Sequence, residues 1–440
     1  MSNKEKLSFD VIVVGAGLAG SAAAVIAARG GLKVAMIERG QAPGSKNYFG
    51  GTLYTHSLME IYPDLWDRKP PLERPVTEAG FWFLSKDGMV RATAQGGKLK
   101  NEPIDAYVAM RAKFDAWWAD QAKKEGVFAI TKTVVVDFIR EDNKVVGVVT
   151  DRAEGEIYAP VVIICEGVNN LLTQKLGLIK HDLQGHSSAL AVKQLIALPA
   201  ETINARFGFT DNEHGLAASV MGDVSMGLPG LGFLYTGIDS VSVGVGVTLD
   251  ALTKAGIKPY ELLQRYLNHP MIAPLIAGGR LMEYGAHIIP EGGWKDMPQL
   301  YTDGALVAGD AASMVNALHW EGTNMAIIAG KAAGETAVEA HQKRDFSAKS
   351  LSSYRARLDK TFIMTDLHQY RGLSHFLKTH PDFMAVYPTF INDALGMFFS
   401  GFGKPKKQLY KDILRSLTDR RPLLKAAGDI IAFGRTIIGI

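Results

Sequence analysis

The fold of this chain is decided by the stretch Val11-Ile12-Val13-Val14-Gly15-Ala16-Gly17-Leu18-Ala19-Gly20. Residues 9–14 are almost wholly apolar, which is typical of a central parallel strand. The glycines that follow permit a tight turn into a helix, and they let a pyrophosphate approach the backbone amides at the helix N-terminus. An alanine-rich run over residues 18–28 predicts that helix, and Gly30-Gly31 is expected to end it.

A second strand and an acidic residue complete this βαβ opening. Residues 33–37 predict the strand, and Glu38 follows it, about 20 residues after the glycines, where a carboxylate can accept hydrogen bonds from ribose hydroxyls. The elements therefore occur in the order that a dinucleotide-binding unit requires: a strand, the glycines, a helix, a second strand and an acidic residue. An ordinary glycine-containing turn is the weaker explanation, although the pattern alone does not separate NAD from FAD.

Later segments differ in their pattern of apolar and polar residues, and these differences suggest how the chain is divided into domains. Residues 161–164 and 305–308 predict further buried strands of the nucleotide fold, and residues 324–341 predict a long helix. Residues 80–91 and 187–249 alternate between apolar and small or polar positions, which indicates an inserted antiparallel sheet. We therefore expect a nucleotide-binding domain over residues 1–75, 105–180 and 285–345, a substrate domain over 76–104 and 181–284, and a helical region over 346–440.

Composition limits the functional class. A length of 440 residues favours two or three lobes, and a net charge of +3 does not indicate a nucleic-acid partner. Cys165 is the only cysteine, so the chain cannot supply the roughly four thiolates of an iron–sulfur cluster, and no metal site is predicted. The sequence shows no signal segment and no run of about 18 apolar residues, which predicts a cytoplasmic protein with membrane contact only from the surface.

A linked set of motifs is far more specific than the glycine turn. It comprises Pro43-Gly44-Ser45-Lys46-Asn47 with Gly50-Gly51, Gly232-Phe233-Leu234-Tyr235, Asp239-Ser240-Val241-Ser242-Val243-Gly244, His269-Pro270, Gly278-Gly279, Glu283-Tyr284-Gly285-Ala286 and Ile289-Pro290-Glu291-Gly292-Gly293-Trp294. This set resembles the electron-transfer-flavoprotein:quinone oxidoreductases, most closely their shorter bacterial relatives, the FixC-type flavoprotein subunits. The likeness runs from about residue 9 to about residue 340. The same FAD superfamily includes the geranylgeranyl reductases.

The resemblance implies an α/β fold, with a glutathione-reductase-like Rossmann FAD domain, an inserted antiparallel-sheet quinone domain and a C-terminal helical segment. It also implies electron flow from the alpha and beta subunits of an electron-transfer flavoprotein, through a ferredoxin-like iron–sulfur subunit, to FAD and then to a membrane quinone. The longer members of the family carry the cluster themselves. This chain lacks the cysteines, so the cluster is expected on the partner subunit.

The resemblance also places the cofactor. Gly309-Asp310 follows an apolar strand, and the family's Asp at this turn hydrogen-bonds the ribityl chain, although helix capping is a common alternative for Asp. Arg111 is expected near the pyrophosphate, or else in solvent on its helix. The residues expected to bind FAD are Gly15, Ala16, Gly17, Ala19, Gly20, Glu38, Arg39, Lys46, Asn47, Gly51, Arg111, Val135, Glu166, Gly167, Gly309, Asp310, Gly322, Thr323 and Asn324.

Catalytic groups are less well defined by the sequence. Lys46 and Asn47 are candidates to lie near the flavin ring, where a cation would favour the anionic reduced form, but a surface lysine is equally consistent with the pattern. Quinone reduction needs protons, and His319, Glu321 and Tyr284 are the titratable groups closest to the matched motifs.

Three other functions stay open. Geranylgeranyl reductases typically carry an aromatic-x-Trp-x-Phe-Pro motif where this chain has residues 232–236, which lack Trp and Pro. Aromatic hydroxylases usually place Pro after the Gly-Asp turn, where this chain has residues 316–321. A relay subunit would pass electrons between proteins without meeting a small substrate.

The C-terminal segment carries a basic and apolar pattern. Between residues 404 and 425 there are eight lysines and arginines against Asp412 and Asp419, and apolar residues recur at helical spacing. This pattern is typical of helices that lie on anionic membrane surfaces. A helix packed on the protein itself, or an acidic partner subunit, would explain the same charges.

Overall fold

The computed structural model describes residues 7–47, 50–179 and 185–439. Its strands are β1 Val11–Val14, β2 Val34–Ile37, β3 Gly50–Tyr54, β4 Glu78–Leu84, β5 Met89–Gln95, β6 Ala106–Met110, β7 Phe128–Ile130, β8 Val135–Glu141, β9 Lys144–Thr150, β10 Glu156–Tyr158, β11 Val161–Ile164, β12 Ser188–Ala197, β13 Leu216–Gly222, β14 Gly230–Thr236, β15 Ser240–Thr248, β16 Arg280–Pro290, β17 Tyr301–Thr302 and β18 Ala305–Val307.

The helices follow in the same chain order. They are α1 Leu18–Arg29, α2 Thr55–Met59, α3 Arg111–Lys124, α4 Leu171–Lys175, α5 Ala200–Phe207, α6 Leu249–Ala255, α7 Pro259–Leu267, α8 Ala273–Ile276, α9 Thr323–Lys343, α10 Ala348–Leu351, α11 Ser353–Leu358, α12 Phe362–Gln369, α13 Leu373–Thr379, α14 Asp382–Ser400, α15 Lys406–Thr418 and α16 Leu423–Ile438. The predicted α/β class is confirmed, with mixed sheets and a helical C-terminus.

The first sheet has the strand order β17-β18-β11-β1-β2-β7, and its pairs are parallel except β17–β18. The wholly apolar strands β1 and β11 are buried along their length, as their composition predicts. Val14, Ile164 and Val307 stand in register at the carboxyl ends of β1, β11 and β18. The turns that follow these three strands therefore open at one edge of the sheet.

Helices α1 and α9 pack with unusually small separation. A Cβ atom on Gly330 would lie 2.1 Å from the carbonyl oxygen of Ala19, and one on Gly334 would lie 2.6 Å from that of Ala23. Neither position has room for a side chain, so the two helix backbones are in direct contact. Because α1 follows β1 and α9 follows β18, this contact ties the beginning of the nucleotide fold to a segment about 300 residues later in the chain.

The second sheet has the strand order β16-β12-β15-β14-β13-β4-β5, antiparallel except for the β13–β4 pair. The alternating valines of β15 are buried on one face. Ser242 and Gly244 on the other face are also buried, and a Cβ on Gly244 would lie 2.2 Å from the Phe233 ring. The alternation therefore marks two packed faces rather than one buried and one solvated face.

The strand pairing bears on the expected domain limits. β16 pairs with β12 as far as Pro290, so the second sheet continues across the expected limit between residues 284 and 285. The expected limit between residues 180 and 181 lies outside the described residues. No helix among residues 7–47, 50–179 and 185–439 is both long and apolar enough to cross a bilayer.

The α1–α9 contact leads to a stability prediction. Gly330→Ala forces a methyl group against the Ala19 carbonyl, and such overpacking should lower the free energy of unfolding by about 1–3 kcal/mol. Gly434→Ala in α16 is the matched control, because its Cβ would meet nothing within 4 Å, and helix propensity alone should stabilise it by up to about 1 kcal/mol. Urea unfolding measures both variants. Equal stability of the two would contradict the close contact.

Candidate functional site

A cavity of about 440 Å³ lies where the carboxyl edge of the first sheet meets the inner face of the second sheet. Its volume is in the range of small-molecule and cofactor sites. One end is formed by the turns after β1, β11 and β18, and the other by side chains of β12, β14, β15 and β16. Leu377 of α13 and Met384 of α14 also line it, so the C-terminal helices contribute to its wall.

The turn after β1 has the geometry that its glycines predict. Gly15 has φ of +100°, and a Cβ there would lie 2.2 Å from the carbonyl oxygen of Cys165. The Glu38 carboxylate accepts hydrogen bonds from the backbone nitrogens of Ala16 at 3.1 Å and Gly40 at 2.6 Å. Glu38 therefore holds the turn in place as well as lining the cavity.

The turn after β11 carries a second acidic residue. Its Glu166 carboxylate accepts hydrogen bonds from the backbone nitrogens of Leu172 at 2.9 Å and Thr173 at 2.7 Å, at the beginning of α4.

Burial raises the pKa of the adjacent Cys165 thiol to about 12. The thiol is therefore protonated at neutral pH, which agrees with a packing role rather than a nucleophilic one.

A buried carboxylate organises the basic side of the cavity. Asp115 is fully buried and accepts two hydrogen bonds from Arg111, to Oδ1 at 2.7 Å and to Oδ2 at 2.9 Å. The Asn47 amide donates to the same Oδ2 at 2.5 Å. Arg111 and Asn47 both line the cavity. Arg111 is thus fixed in an ion pair at the cavity wall, where one face can still meet a phosphate.

Asp310 lies at the turn after β18. Burial raises the pKa of its carboxyl, while the neighbouring His287 and Arg111 act in the opposite direction. Burial likewise lowers the pKa of His287, which Asp310 partly offsets. His287 was missed by sequence reasoning, because it belongs to β16 and reaches Asp310 only through the meeting of the two sheets. The two side chains form a polar group at the junction of the two sheets.

Most residues expected to bind FAD line this one cavity: Gly15, Gly17, Ala19, Glu38, Arg39, Lys46, Asn47, Gly51, Arg111, Val135, Glu166, Gly167, Gly309, Asp310, Gly322 and Thr323. The other three expected residues are not among the described residues that line the cavity. Ala16 contributes its backbone nitrogen to Glu38. Gly20 packs so closely that a Cβ would lie 1.8 Å from the Gly15 carbonyl oxygen, and Asn324 is buried in the first turn of α9.

The proton-donor candidates also lie outside the described lining. Tyr284 is 50% exposed, and strand alternation directs it to the face opposite His287. The His319 ring lies 5.5 Å from that of Tyr370. Burial raises the pKa of Glu321, and a hydrogen bond with Asn324 acts against this. Neither His319 nor Glu321 is among the lining residues, although their neighbour Trp320 is.

Sequence reasoning also missed the apolar end of the cavity and one acidic group within it. These residues are Leu231, Phe233, Tyr235, Ile289, Glu291 and Trp320. Trp320 has φ of +55°, a conformation that non-glycine residues seldom adopt, and its ring packs edge-on against Phe81 at 5.8 Å. The family motifs contain Phe233, Tyr235 and Glu291. The sequence does not show that these three side chains face one cavity, because that depends on how the strands pair.

The arrangement fits an FAD molecule. Gly17, Gly51 and Gly167 line the cavity, and a Cβ on any of them would meet no described atom within 4 Å, so a ligand can reach their backbone. Gly17 precedes α1 and Gly322 precedes α9, which places two helix N-termini on the cavity. Helix N-termini with free backbone amides suit phosphate groups, and the partly buried carboxyl of Asp310 suits hydroxyl groups.

The buried ion pair leads to a second prediction. Asp115→Ala leaves Arg111 without its buried partner and should lower the free energy of unfolding by about 3 kcal/mol or more. Asp120→Ala on the same helix is the control, because its ion pair with Lys124 is exposed and should contribute less than about 1 kcal/mol. Chemical denaturation of both variants measures this difference. If Asp115→Ala lowers the free energy of unfolding no more than the control does, the stabilising role of the buried Arg111–Asp115 pair is contradicted.

Comparison with solved structures supports this fold. A geranylgeranyl bacteriochlorophyll reductase-like protein from Thermoplasma acidophilum superposes with a TM-score of 0.73 at 21% identity, over 97% of this chain and all of that one. The myxobacterial chondrochloren halogenase CndH, a variant of FAD-dependent halogenases, superposes with a TM-score of 0.66 at 17% identity, over 93% of this chain and 97% of that one. At these identities the likeness shows the shared fold alone.

Sequence comparison is more specific. Residues 10–173 match the family "FAD dependent oxidoreductase", residues 211–289 "ETF-QO, ubiquinone-binding", and residues 373–438 "ETF-QO/FixC family C-terminal domain". Protein FixC of Azorhizobium caulinodans is 40% identical over 97% of this chain and 98% of its own length. Protein FixC of Azotobacter vinelandii is 41% identical over 98% and 99%.

A third relative is the probable electron transfer flavoprotein-quinone oxidoreductase YdiS of Escherichia coli, 38% identical over 92% of this chain and 94% of its own length. The FAD-type turns, the cavity that they share with the second sheet, and matches at this identity over almost the whole chain agree with one another. The chain is an FAD-dependent oxidoreductase and belongs to the ETF-QO/FixC family.

Proposed function

We propose that this chain takes electrons from an electron-transfer flavoprotein and passes them through FAD to a membrane quinone. The observation that supports this most directly is the form of the cavity. One continuous space joins the glycine turns that fit FAD to an apolar region of the second sheet, lined by Leu231, Phe233 and Tyr235. Flavin and an apolar ring compound could therefore occupy neighbouring parts of one site.

The relatives support the same function. Residues 211–289, which match the ubiquinone-binding family, span β13, β14 and β15 and nearly all of β16, and three of these strands supply cavity residues. One relative is named as a probable electron transfer flavoprotein-quinone oxidoreductase. Transfer of that activity to this chain requires room for flavin and quinone within one cavity, and the glycine turns and the apolar region lined by Leu231, Phe233 and Tyr235 support this.

The cofactor supplies the ability to exchange electrons singly or in pairs, and the protein binds and tunes it. In our proposal Arg111 pairs with a phosphate, Glu38 contacts a ribose, and Asp310 with His287 holds the polar chain that joins phosphate to flavin. Lys46 lines the cavity with an exposed side chain, where its charge can stabilise an anion. We propose a glutathione-reductase-like subclass for this FAD domain.

We propose the same domain limits that the sequence pattern predicts, with one change. The FAD-binding domain takes residues 1–75 and 105–180 and then resumes at 291 rather than 285, because β16 belongs to the second sheet as far as Pro290. The quinone domain takes the intervening residues. The region 346–440 forms the C-terminal helices and reaches the cavity through Leu377 and Met384.

We further propose a ferredoxin-like iron–sulfur subunit as the partner that delivers the electrons. One cysteine per chain cannot ligate a cluster, so a cluster in this electron path must be on another polypeptide. The alpha and beta subunits of the electron-transfer flavoprotein would lie upstream of it.

The C-terminal helices support a place on the inner face of the cell membrane. Large apolar side chains are unusually exposed here, with Leu424 at 90% and Ile430 at 66% on α16, Leu414 at 49% on α15, and Phe402 at 81% in the loop before α15. Lys407, Lys411 and Lys425 lie on the same helices, and they have no ion pair among the described residues. Arg421 differs, because it pairs with the buried Asp429 and with Asp382. An apolar surface with unpaired lysines suits an anionic bilayer.

Quinone reduction is tested on the protein as it exists in its complex. The complex is reduced without oxygen, ubiquinone or menaquinone analogues are added, and flavin absorbance is followed. We expect rapid reoxidation by at least one quinone. Reoxidation only by a protein acceptor would favour a relay subunit, and turnover of a polyprenyl diphosphate without any response to quinone would favour an isoprenoid reductase. Either result would contradict the proposal.

Membrane binding is tested by cosedimentation with vesicles that contain anionic lipid. The double variant Leu424→Ser with Ile430→Ser should weaken binding at least about tenfold, because each exposed side chain contributes about 1.5–3 kcal/mol when it enters the bilayer. Tyr260→Ser, an exposed apolar residue on α7, is the control and should bind like the wild type. Unchanged binding of the double variant would contradict membrane docking by these helices.

A further inference from the structure

Glu291 is a carboxylic acid in the wall of the cavity, directly after β16. His287, Ile289 and Glu291 are alternate residues, and all three line the cavity, so the strand directs them to the same side. The backbone at Glu291 is fixed, because its nitrogen donates a 2.7 Å hydrogen bond to the Ser187 carbonyl. The function proposed above assigns no role to this acid.

The surroundings of Glu291 are unusual for a carboxyl group. Among the described residues, no side chain donates a hydrogen bond to it and no cation forms an ion pair with it. Ile289 lines the same side of the strand two residues before it, and Leu377 and Met384 from the C-terminal helices line the same cavity. Glu291 is partly buried, so its charged form loses part of its hydration without a compensating partner, and this favours the neutral, protonated form.

Burial raises the pKa of Glu291 to about 7. Near neutral pH the group can therefore both hold a proton and release it, which is the property required of a general acid. Burial alone causes this shift. The titratable side chains on its own segment, beside Ser187 and beside the cavity residues of the C-terminal helices make no contribution, and they are His186, His287, Lys295, Asp296, His375, Lys378 and Asp382. The nearby Asp296 accepts a hydrogen bond from the Ser187 hydroxyl.

We infer that Glu291 is a catalytic residue that donates a proton to the quinone reduced in this cavity. The inference rests on the proposed function and deepens it. Reduction of a quinone to a quinol consumes two electrons, which come from the reduced flavin, and two protons. Glu291 supplies one proton: its O–H bond breaks, an O–H bond forms on a quinone oxygen, and solvent reprotonates the carboxylate. The other proton comes from solvent or another group.

The test compares Glu291→Gln with the wild type in the reconstituted complex. The amide keeps the size of the side chain but cannot act as the acid, so kcat for quinone reduction should fall about 10²-fold or more, while KM for the quinone changes little. Reduction of ferricyanide, which takes up no proton, should keep its wild-type rate. Glu291→Asp retains an acid and should recover part of the quinone activity.

Two further measurements do not depend on turnover. Infrared titration of the oxidised protein should show a carboxylic-acid band that disappears with a midpoint near pH 7 and that Glu291→Gln lacks. Calorimetry should show unchanged binding of a quinone analogue to that variant. The matched control is Glu78→Gln in β4 of the second sheet. Burial also raises the pKa of Glu78, and Glu78 is not among the described residues that line the cavity.

The outcomes separate this inference from the proposed function. If the wild type reduces no quinone, the proposed function is wrong and this role falls with it. If the wild type reduces quinone and Glu291→Gln does so equally fast, only the role of Glu291 is overturned. Equal losses of quinone and ferricyanide activity, or an infrared titration that Glu291→Gln leaves unchanged, would also overturn it.

Discussion

The structure depends on the direct contact between the backbones of α1 and α9. Gly330 and Gly334 leave no space between α9 and the alanines of α1, and Gly309 continues the contact, since a Cβ there would lie 3.1 Å from the Ala19 Cβ. Because Gly17 precedes α1 and Gly322 precedes α9, close packing of the helices brings both N-termini to the same cavity. Two turns that lie far apart in sequence thereby line one cavity, as a dinucleotide site requires.

The two ends of the cavity differ in how they are stabilised. At the flavin end, charged groups are held by partners: Asp115 fixes Arg111, and Glu38 is fixed by backbone nitrogens. Such preorganised groups can meet phosphates and hydroxyls without first being rearranged. In the region that we propose for the quinone the wall is apolar, and we infer that Glu291 is its acidic exception. An ion-paired end suits a charged cofactor that stays bound, and an apolar end suits a substrate that exchanges with the membrane.

The nucleotide fold could be predicted from the sequence because its signals are local. β11 and the glycine turn lie where the pattern places them, and α9 extends the predicted helix by only a few residues. The turns expected to hold the cofactor could be located for the same reason, and the family resemblance added Arg111 and Asp310; all of these line the cavity. His287 and Glu291 could not be found in this way. Their direction depends on the register of β16 with β12, and their neighbours belong to distant segments.

The C-terminal charges also show that contacts between distant segments cannot be predicted from the sequence pattern. A count of basic residues treats Arg421 like its neighbouring lysines, but the fold pairs Arg421 with the buried Asp429. Charge patterns predict a basic helix, while tertiary contacts decide which charges remain available to a partner or a membrane.

The central claim is that two distant turns, joined by the α1–α9 contact, bind one FAD. The most direct measurement is the flavin content of the purified chain, by absorbance before and after acid release and by identification of the released nucleotide. We expect one FAD per polypeptide, bound without a covalent link. A colourless protein that takes up no FAD on reconstitution would contradict the account.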